Sequence, residues 1–270
     1  MKKFAFFFKK NPEIYLGTIL SAVVVLILVF GMVFSPYDPN AMDASAKFAN
    51  ASGTHLLGCD NFGRDIFTRL CVGGSTTLLV AFATVLIGVT GGIIIGAVTG
   101  YFGGMADEVV MRFNDAVLAF PSILLALVFV SVFGSGTFKV VAALGIVFIP
   151  SFARIVRAEF LRCKNLDYVR SARLMGASAF RIMFVHILPN TFEVLLSSIV
   201  IGFNNAVLAE ASMSYLGIGV QPPESSLGRM LSDAQSFLFT KPSYAITPGI
   251  AIALLVLGFS LIGDGLKKRN

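Results

Sequence analysis

The chain has 270 residues, of which 56% are hydrophobic and 13% charged, and its mean hydropathy is +0.83. A soluble domain of this length does not carry so much apolar surface, which excludes a soluble enzyme and points to an all-α integral membrane protein. The net charge of +6 needs no nucleic-acid partner: most of the 21 Lys and Arg residues fall in segments that the spans below place on one membrane side, with no aromatic-interleaved basic stripe.

Lys2, Lys3, Lys9 and Lys10 precede an apolar run from Ile14 to Phe34. At roughly 20 residues it is long enough to cross a bilayer and longer than a signal-peptide core, so a retained first span with its N-terminus inside is expected. Residues 35–73 are rich in turn formers and lie outside. Near their end, Asp65 and Arg69 stand as i, i+4 partners on a short helix whose Ile66, Phe67 and Leu70 lie on the membrane surface.

The second span, Thr76 to Tyr101, carries Gly88, Gly92, Gly96 and Gly100 at four-residue intervals, with Gly91 beside them. On a helix these make one smooth face that another backbone can approach, either in this chain or in a second subunit. Gly103-Gly104 turns the chain at the cytoplasmic side. Asp107, Glu108, Arg112 and Asp115 open the third span, with Glu108 and Arg112 paired at i, i+4; it runs to Phe133 and Pro121 kinks it. The fourth span, Val140 to Ala158, contains Pro150 and leaves the membrane among Arg154, Arg157, Arg162 and Lys164.

Asp167 to Asn190, DYVRSARLMGASAFRIMFVHILPN, is the longest polar-rich run between two apolar segments. Arg170, Arg173, Ala177 and Arg181 line one helical face. Gly176 breaks the helix, Ser178 caps a second one, and Pro189 closes it. The fifth span, Thr191 to Ala209, is the least apolar: Glu193, Asn204 and Asn205 face protein or water rather than lipid. Glu193, Ser197 and Asn204 fall on one stripe, which either lines a translocation path or bonds to a neighbouring helix. Residues from Glu210 to Pro242 form an outer loop, Tyr244 to Ile262 is the sixth span, and Lys267, Lys268 and Arg269 fix the C-terminus inside. The chain thus divides into residues 1–73, with the first span and outer loop, and residues 74–270, a five-span core with a cytoplasmic loop at 165–190.

Several chemistries are missing. There is no G-x-x-x-x-G-K-[ST] stretch and so no P-loop, and His55 and His186 lie on opposite membrane sides without metal-ligand neighbours. Cys59 and Cys71 are both external, and unpaired thiols are expected. A channel or ion-coupled transporter needs midplane acids, for which Glu193 is the only nearby candidate.

The spacing of Ala172, Gly176 and Leu188-Pro189 resembles the EAA loop of ABC-transporter permeases, which docks into the ATPase. YVRSARLMGAS with RIMFVHILPN is similar to the branch serving dipeptides, oligopeptides and nickel, whose basic and His residues stand where the general loop has Glu-Ala and Ile. HLLGCDNFGRDIFTRL looks like that branch's HxLGTDxxGRDxxSRL, with Cys59 in place of Thr. LAEASMSYLGIGVQPPESSLGRML is similar to its EASLSFLGLGxxPPxPxWGxML, with Leu227 in place of Trp.

The resemblance implies a six-span, type I importer (MetI-like) permease fold in the bacterial cell membrane with both termini cytoplasmic. It implies docking through Asp167, Tyr168, Val169, Arg170, Ala172, Arg173, Gly176, Ala177 and Ser178; the polar stripe of span five, Glu193, Ser197 and Asn204, with Glu210 after it, is the candidate translocation path. It also implies an outer gate or binding-protein contact at Asp60, Gly63, Arg64, Asp65, Gln221 and Pro222. The chain itself holds no cofactor or metal; ATP and Mg belong to one or two partner ATPase subunits. The other implied partners are a second homologous permease, a solute-binding protein and the lipid bilayer, with peptides as cargo and a nickel chelate as the alternative.

Overall fold

The computed structural model describes residues 11–268, so Lys2, Lys3, Lys9, Lys10 and Arg269 lie outside the described residues. Helix α1, Pro12–Phe34, starts with proline at its first turn, where a missing N–H costs nothing. Its buried residues, Ile14, Gly17, Ser21, Val24, Leu28 and Gly31, alternate three and four apart and make one stripe against its neighbours. Among the described residues there is no strand, only an isolated bridge between Cys59 and Asp65 in the outer segment.

Helix α2, Ile66–Phe102, has 37 residues and is about 55 Å long, longer than the roughly 30 Å hydrocarbon core. The expected surface helix is therefore only the first turns of this span, and the boundary at 73/74 falls inside it. Ile66 and Leu70 are buried rather than lying on the membrane surface. Asp65 does not pair with Arg69: it caps α2, accepting from the Thr68 N–H at 2.8 Å, and takes His55 Nδ1 at 2.9 Å.

The glycine face of α2 meets a partner within this chain, helix α5, Thr137–Cys163. A Cβ at Gly88 stands 2.9 Å from Phe148 Cβ; at Gly92, 2.9 Å from the Ala153 nitrogen. At Gly96 it stands 2.5 Å from the Ala153 oxygen, and at Gly100, 2.7 Å from Phe160 Cβ. Four-residue rows on both helices interlock, so the two backbones lie closer than side chains permit.

Between them come α3, Gly104–Leu118, and α4, Ser122–Phe133, which meet at 91°. The expected kink at Pro121 is a break, because proline disfavours helical geometry at the residue before it and supplies no N–H. The Glu108–Arg112 pair is replaced by bonds between helices: Asp107 takes both nitrogens of Arg157 at 2.6 and 2.7 Å, and Asp115 takes Arg154 at 2.6 Å.

The cytoplasmic helix α6, Asp167–Leu174, precedes α7, Phe192–Tyr215; α8, Leu227–Ala234; and α9, Pro242–Lys267. Helix α9 packs on α1, where a Cβ at Gly17 stands 2.7 Å from the Gly258 oxygen, and Lys268 pairs with Glu13 at 2.5 Å. Among the described residues five helices are long and apolar enough to cross a membrane, and the bent pair α3–α4 gives a sixth where the two are taken as one span. Cys59, Cys71 and Cys163 are buried free thiols.

The α2–α5 seam gives a direct test. Gly96→Val places methyl groups against backbone atoms that cannot rotate away, and overpacking of this kind costs about 1–3 kcal/mol. It is expected to lower the melting temperature of the purified chain, whereas Gly249→Ala, whose Cβ meets nothing nearer than 4.0 Å, leaves it unchanged. Equal melting curves for Gly96→Val and the parent refute the close approach.

Candidate functional site

At the cytoplasmic side α5 ends at Lys164, whose ammonium donates to the Gly100 oxygen at 3.1 Å and so places a cation at the C-terminus of α2. Helix α6 follows, with Val169 and Ala172 buried against Ala97 of α2, Val156 and Phe160 of α5, and Ile182, Ile187 and Leu195 beyond it. Gly176 takes φ +82, and the bonds from Gly176 N to Arg173 O and from Ala177 N to Ala172 O close a Schellman turn. Ser178 Oγ then accepts from the Arg181 N–H at 3.3 Å.

Pro189 does not close the second helix. One turn, Ala179–Arg181, passes through a π-turn, Ile182–Ile187, and a 3-10 turn, Leu188–Thr191, straight into α7. The wide turn before the proline accommodates its missing donor and its ring, so Ala179–Tyr215 is one helical run.

The outward side of this element is polar on its flanks and apolar at its tip. Asp167, Tyr168, Arg170, Arg173 and Ser178 are exposed, Ala177 is half-buried, and the Arg173 guanidinium lies 5.7 Å from the Tyr101 ring centroid. Burial, together with Cys163 beside it, pushes the Tyr168 phenol above its ordinary range. Leu174, Met175 and Phe180 project from the tip with 88%, 81% and 69% of their surfaces exposed. Sequence reasoning missed this trio as a contact surface; the signal was two apolar residues directly before a helix-ending glycine and a third just past the next cap.

A cavity of about 600 Å³ opens between the α3–α4 break, α5 and α7. Its polar lining is Ser122, Ser151, Ser198, Asn205 and Lys267, set among Phe148, Phe152 and Ile201. The expected stripe lies elsewhere on α7. Ser197 is buried and donates to the Glu193 oxygen at 3.2 Å, while Asn204 donates to Ser260 Oγ of α9 at 2.7 Å. Glu210 is wholly buried within α7 rather than in the outer loop. The helix is rotated so that Ser198, Gly202, Asn205 and Ala209, spaced four, three and four, face the cavity.

On the outer side Asp60 and Arg64 are buried and paired at 2.6 Å. Asp233 of α8 takes Arg229 at 2.9 Å and stands 3.6 Å from Arg64 and 3.7 Å from Arg69. Gly63, with φ +76, keeps the turn that supports Arg64, since a Cβ there meets the Asp43 backbone. Asp60, Gly63, Arg64 and Asp65 are thus buried where the outer segment meets α2 and α8. Pro222 is exposed and Gln221 partly so; they line a groove of about 330 Å³ with Ser135, Phe138, Lys139 and Glu224.

Residues 92–269 match the binding-protein-dependent transport system inner membrane components. The chain is 36% identical to a dipeptide transport system permease protein of Haemophilus influenzae, across 99% of this chain and 92% of that protein. It is 42% identical to a glutathione transport system permease protein of Pectobacterium atrosepticum, across 91% and 82%. It is 33% identical to a probable D,D-dipeptide transport system permease protein of Escherichia coli, across 93% and 85%. The crystal structure of an amino acid ABC transporter with histidines superposes with a TM-score of 0.56 at 21% identity, over 75% of this chain and 94% of that one, which is a likeness of fold. With its membrane-crossing helices and this similarity along nearly its whole length, the chain belongs to the binding-protein-dependent transport system inner membrane components, the multi-pass permeases of the bacterial plasma membrane.

Proposed function

We propose that this chain is the permease subunit of an ATP-driven importer of di- and oligopeptides. The observation that carries the reading is the cytoplasmic tip: Leu174, Met175 and Phe180 stand in water on a rigid two-turn scaffold ringed by Arg170, Arg173 and Arg181. Exposed apolar clusters with a charged rim belong to protein interfaces. The partner they fit is a cytoplasmic ATPase subunit that binds ATP and Mg, because the chain has no phosphate-binding loop of its own.

Movement of the tip passes into the spans through Val169 and Ala172, which share one apolar cluster with α2, α5 and the start of α7. A rocking of these helices alternates access to the cavity. Its polar lining offers hydroxyls and a carboxamide, which both donate and accept, a match for main-chain amides whatever side chains the peptide carries. The dipeptide and glutathione relatives favour peptides over a nickel chelate. A second homologous permease closes the other wall, one or two ATPases serve the pair, and a solute-binding protein delivers cargo to the outer face.

Two experiments test this. Leu174→Asp combined with Phe180→Asp alters only exposed side chains, so the chain is expected to stay folded and membrane-inserted while co-purification of the ATPase and transport of labelled dipeptide are lost. Retained ATPase binding by the double variant overturns the docking assignment, and uptake of nickel chelate but not dipeptide by the parent overturns the cargo.

For the path, Asn205→Cys is expected to react with a membrane-impermeant maleimide in the assembled transporter, whereas Asn204→Cys, on the α9 seam, is not. Reversed labelling returns the path to the Glu193, Ser197 and Asn204 stripe.

A further inference from the structure

Glu210 is fully buried near the outer end of α7, and among the described residues only hydroxyl groups reach its carboxylate. Thr77 of α2 donates to one oxygen at 2.8 Å and Ser214 to the other at 2.6 Å. Both hydroxyls also accept a backbone N–H, Ser214 from Val220 at 3.0 Å and Thr77 from Leu227 at 3.1 Å, and beside them Ser226 Oγ caps α8 by accepting from the Arg229 N–H at 3.1 Å. The three N–H groups belong to residues 217–229, the outer re-entrant segment and the first turn of α8. The carboxyl group thus holds this segment by two two-bond relays, one of which ends on the Leu227 N–H, an orphan donor at the start of α8.

Close backbone contacts surround the hub. A Cβ at Gly73 stands 2.8 Å from Ser225 Oγ, and one at Gly228 stands 2.6 Å from Ala211 Cα. The segment therefore has one seating on α2 and α7. The same α7 begins at the ATPase-facing tip, as part of a 37-residue run about 55 Å long. Resting on the importer reading above, we propose that Glu210 is a positioning residue that couples the outer re-entrant segment to α7, so that arrival of loaded binding protein outside is felt at the ATPase inside. The hydroxyl relays make the coupling depend on an acceptor at this position rather than on volume, and Gln supplies one where Leu does not.

The test uses the assembled transporter in proteoliposomes, with parent, Glu210→Gln and Glu210→Leu chains, and two readouts. The first is labelling of Ser225→Cys, a buried position, by an impermeant maleimide from outside, with the parent lacking that cysteine as baseline. Labelling is expected to be slow with Glu or Gln at 210 and fast with Leu. The second is the ratio of ATP turnover with loaded binding protein to turnover without it. That ratio is expected to fall by about 5- to 150-fold in Glu210→Leu, the span of ordinary site-to-site coupling, with unstimulated turnover unchanged and Glu210→Gln restoring most of it.

If the segment stays protected in Glu210→Leu, or becomes labelled while stimulation persists, the proposal is overturned. Loss of assembly and of unstimulated turnover together also overturns it, since that marks a merely structural role. Failure of the importer reading is recognised separately, by the absence of any ATPase from the parent complex.

Discussion

The close contact between α2 and α5 is the constraint on which the rest of the molecule depends. In lipid there is no hydrophobic force between apolar helices, so association rests on packing and on polar bonds. Gly88, Gly92, Gly96 and Gly100 remove side chains where the backbones of residues 148–160 approach. This fixes the two long helices as one body. Helix α6 and the start of α7 share the cluster at its cytoplasmic end, and α8 caps its outer end through Thr77 and Arg69.

Polar groups inside this body follow a second rule, that burial requires a partner. Asp107 takes both arms of Arg157, Asn114 donates to the Pro150 oxygen, and Asp60 takes both Arg64 and backbone N–H groups. The Asp107 and Asn114 bonds cross between helices, while those of Asp60 close the turn of the outer segment. A local i, i+4 reading therefore misassigned Asp65 with Arg69, because His55 and the Thr68 N–H take Asp65 while Asp233 stands by Arg69; next to Glu108 it is Asp107, not Glu108, that takes an arginine, and that arginine comes from α5.

What was legible in the sequence was whatever local chemistry determines. The spans follow from apolar length, the glycine seam from its period, the helix stop at Gly176 from its freedom at positive φ, and the next start from Ser178. What was not legible depended on helix rotation and on long-range packing. Asn204 and Asn205 differ by about 100° around α7, and only the packing of α9 decides which one meets Ser260 and which meets the cavity. Pro189 looked like a stop because its cost was judged locally; the π-turn before it absorbs the missing donor. Leu174 and Phe180 escaped notice because an apolar residue in a polar loop has meaning only once its neighbours leave it exposed.

These features together place rigidity and mobility in different parts of the chain. The glycine seam, the outer clasp and the Glu210 hub are each over-determined, with several bonds or backbone contacts per residue. The α3–α4 break and the π-turn are places where helical hydrogen bonding is interrupted, the first beside the cavity and the second beside the cytoplasmic tip. A force applied at Leu174, Met175 and Phe180 meets α2 and α5 as one block and reaches α7 through its irregular first turns. These turns lie outside the seam, and Thr77 and Ser214 tie the outer segment to α7 through Glu210. Alternating access in such a chain needs no melting of a packed interface, only movement between parts that the sequence has already separated with a proline and a glycine.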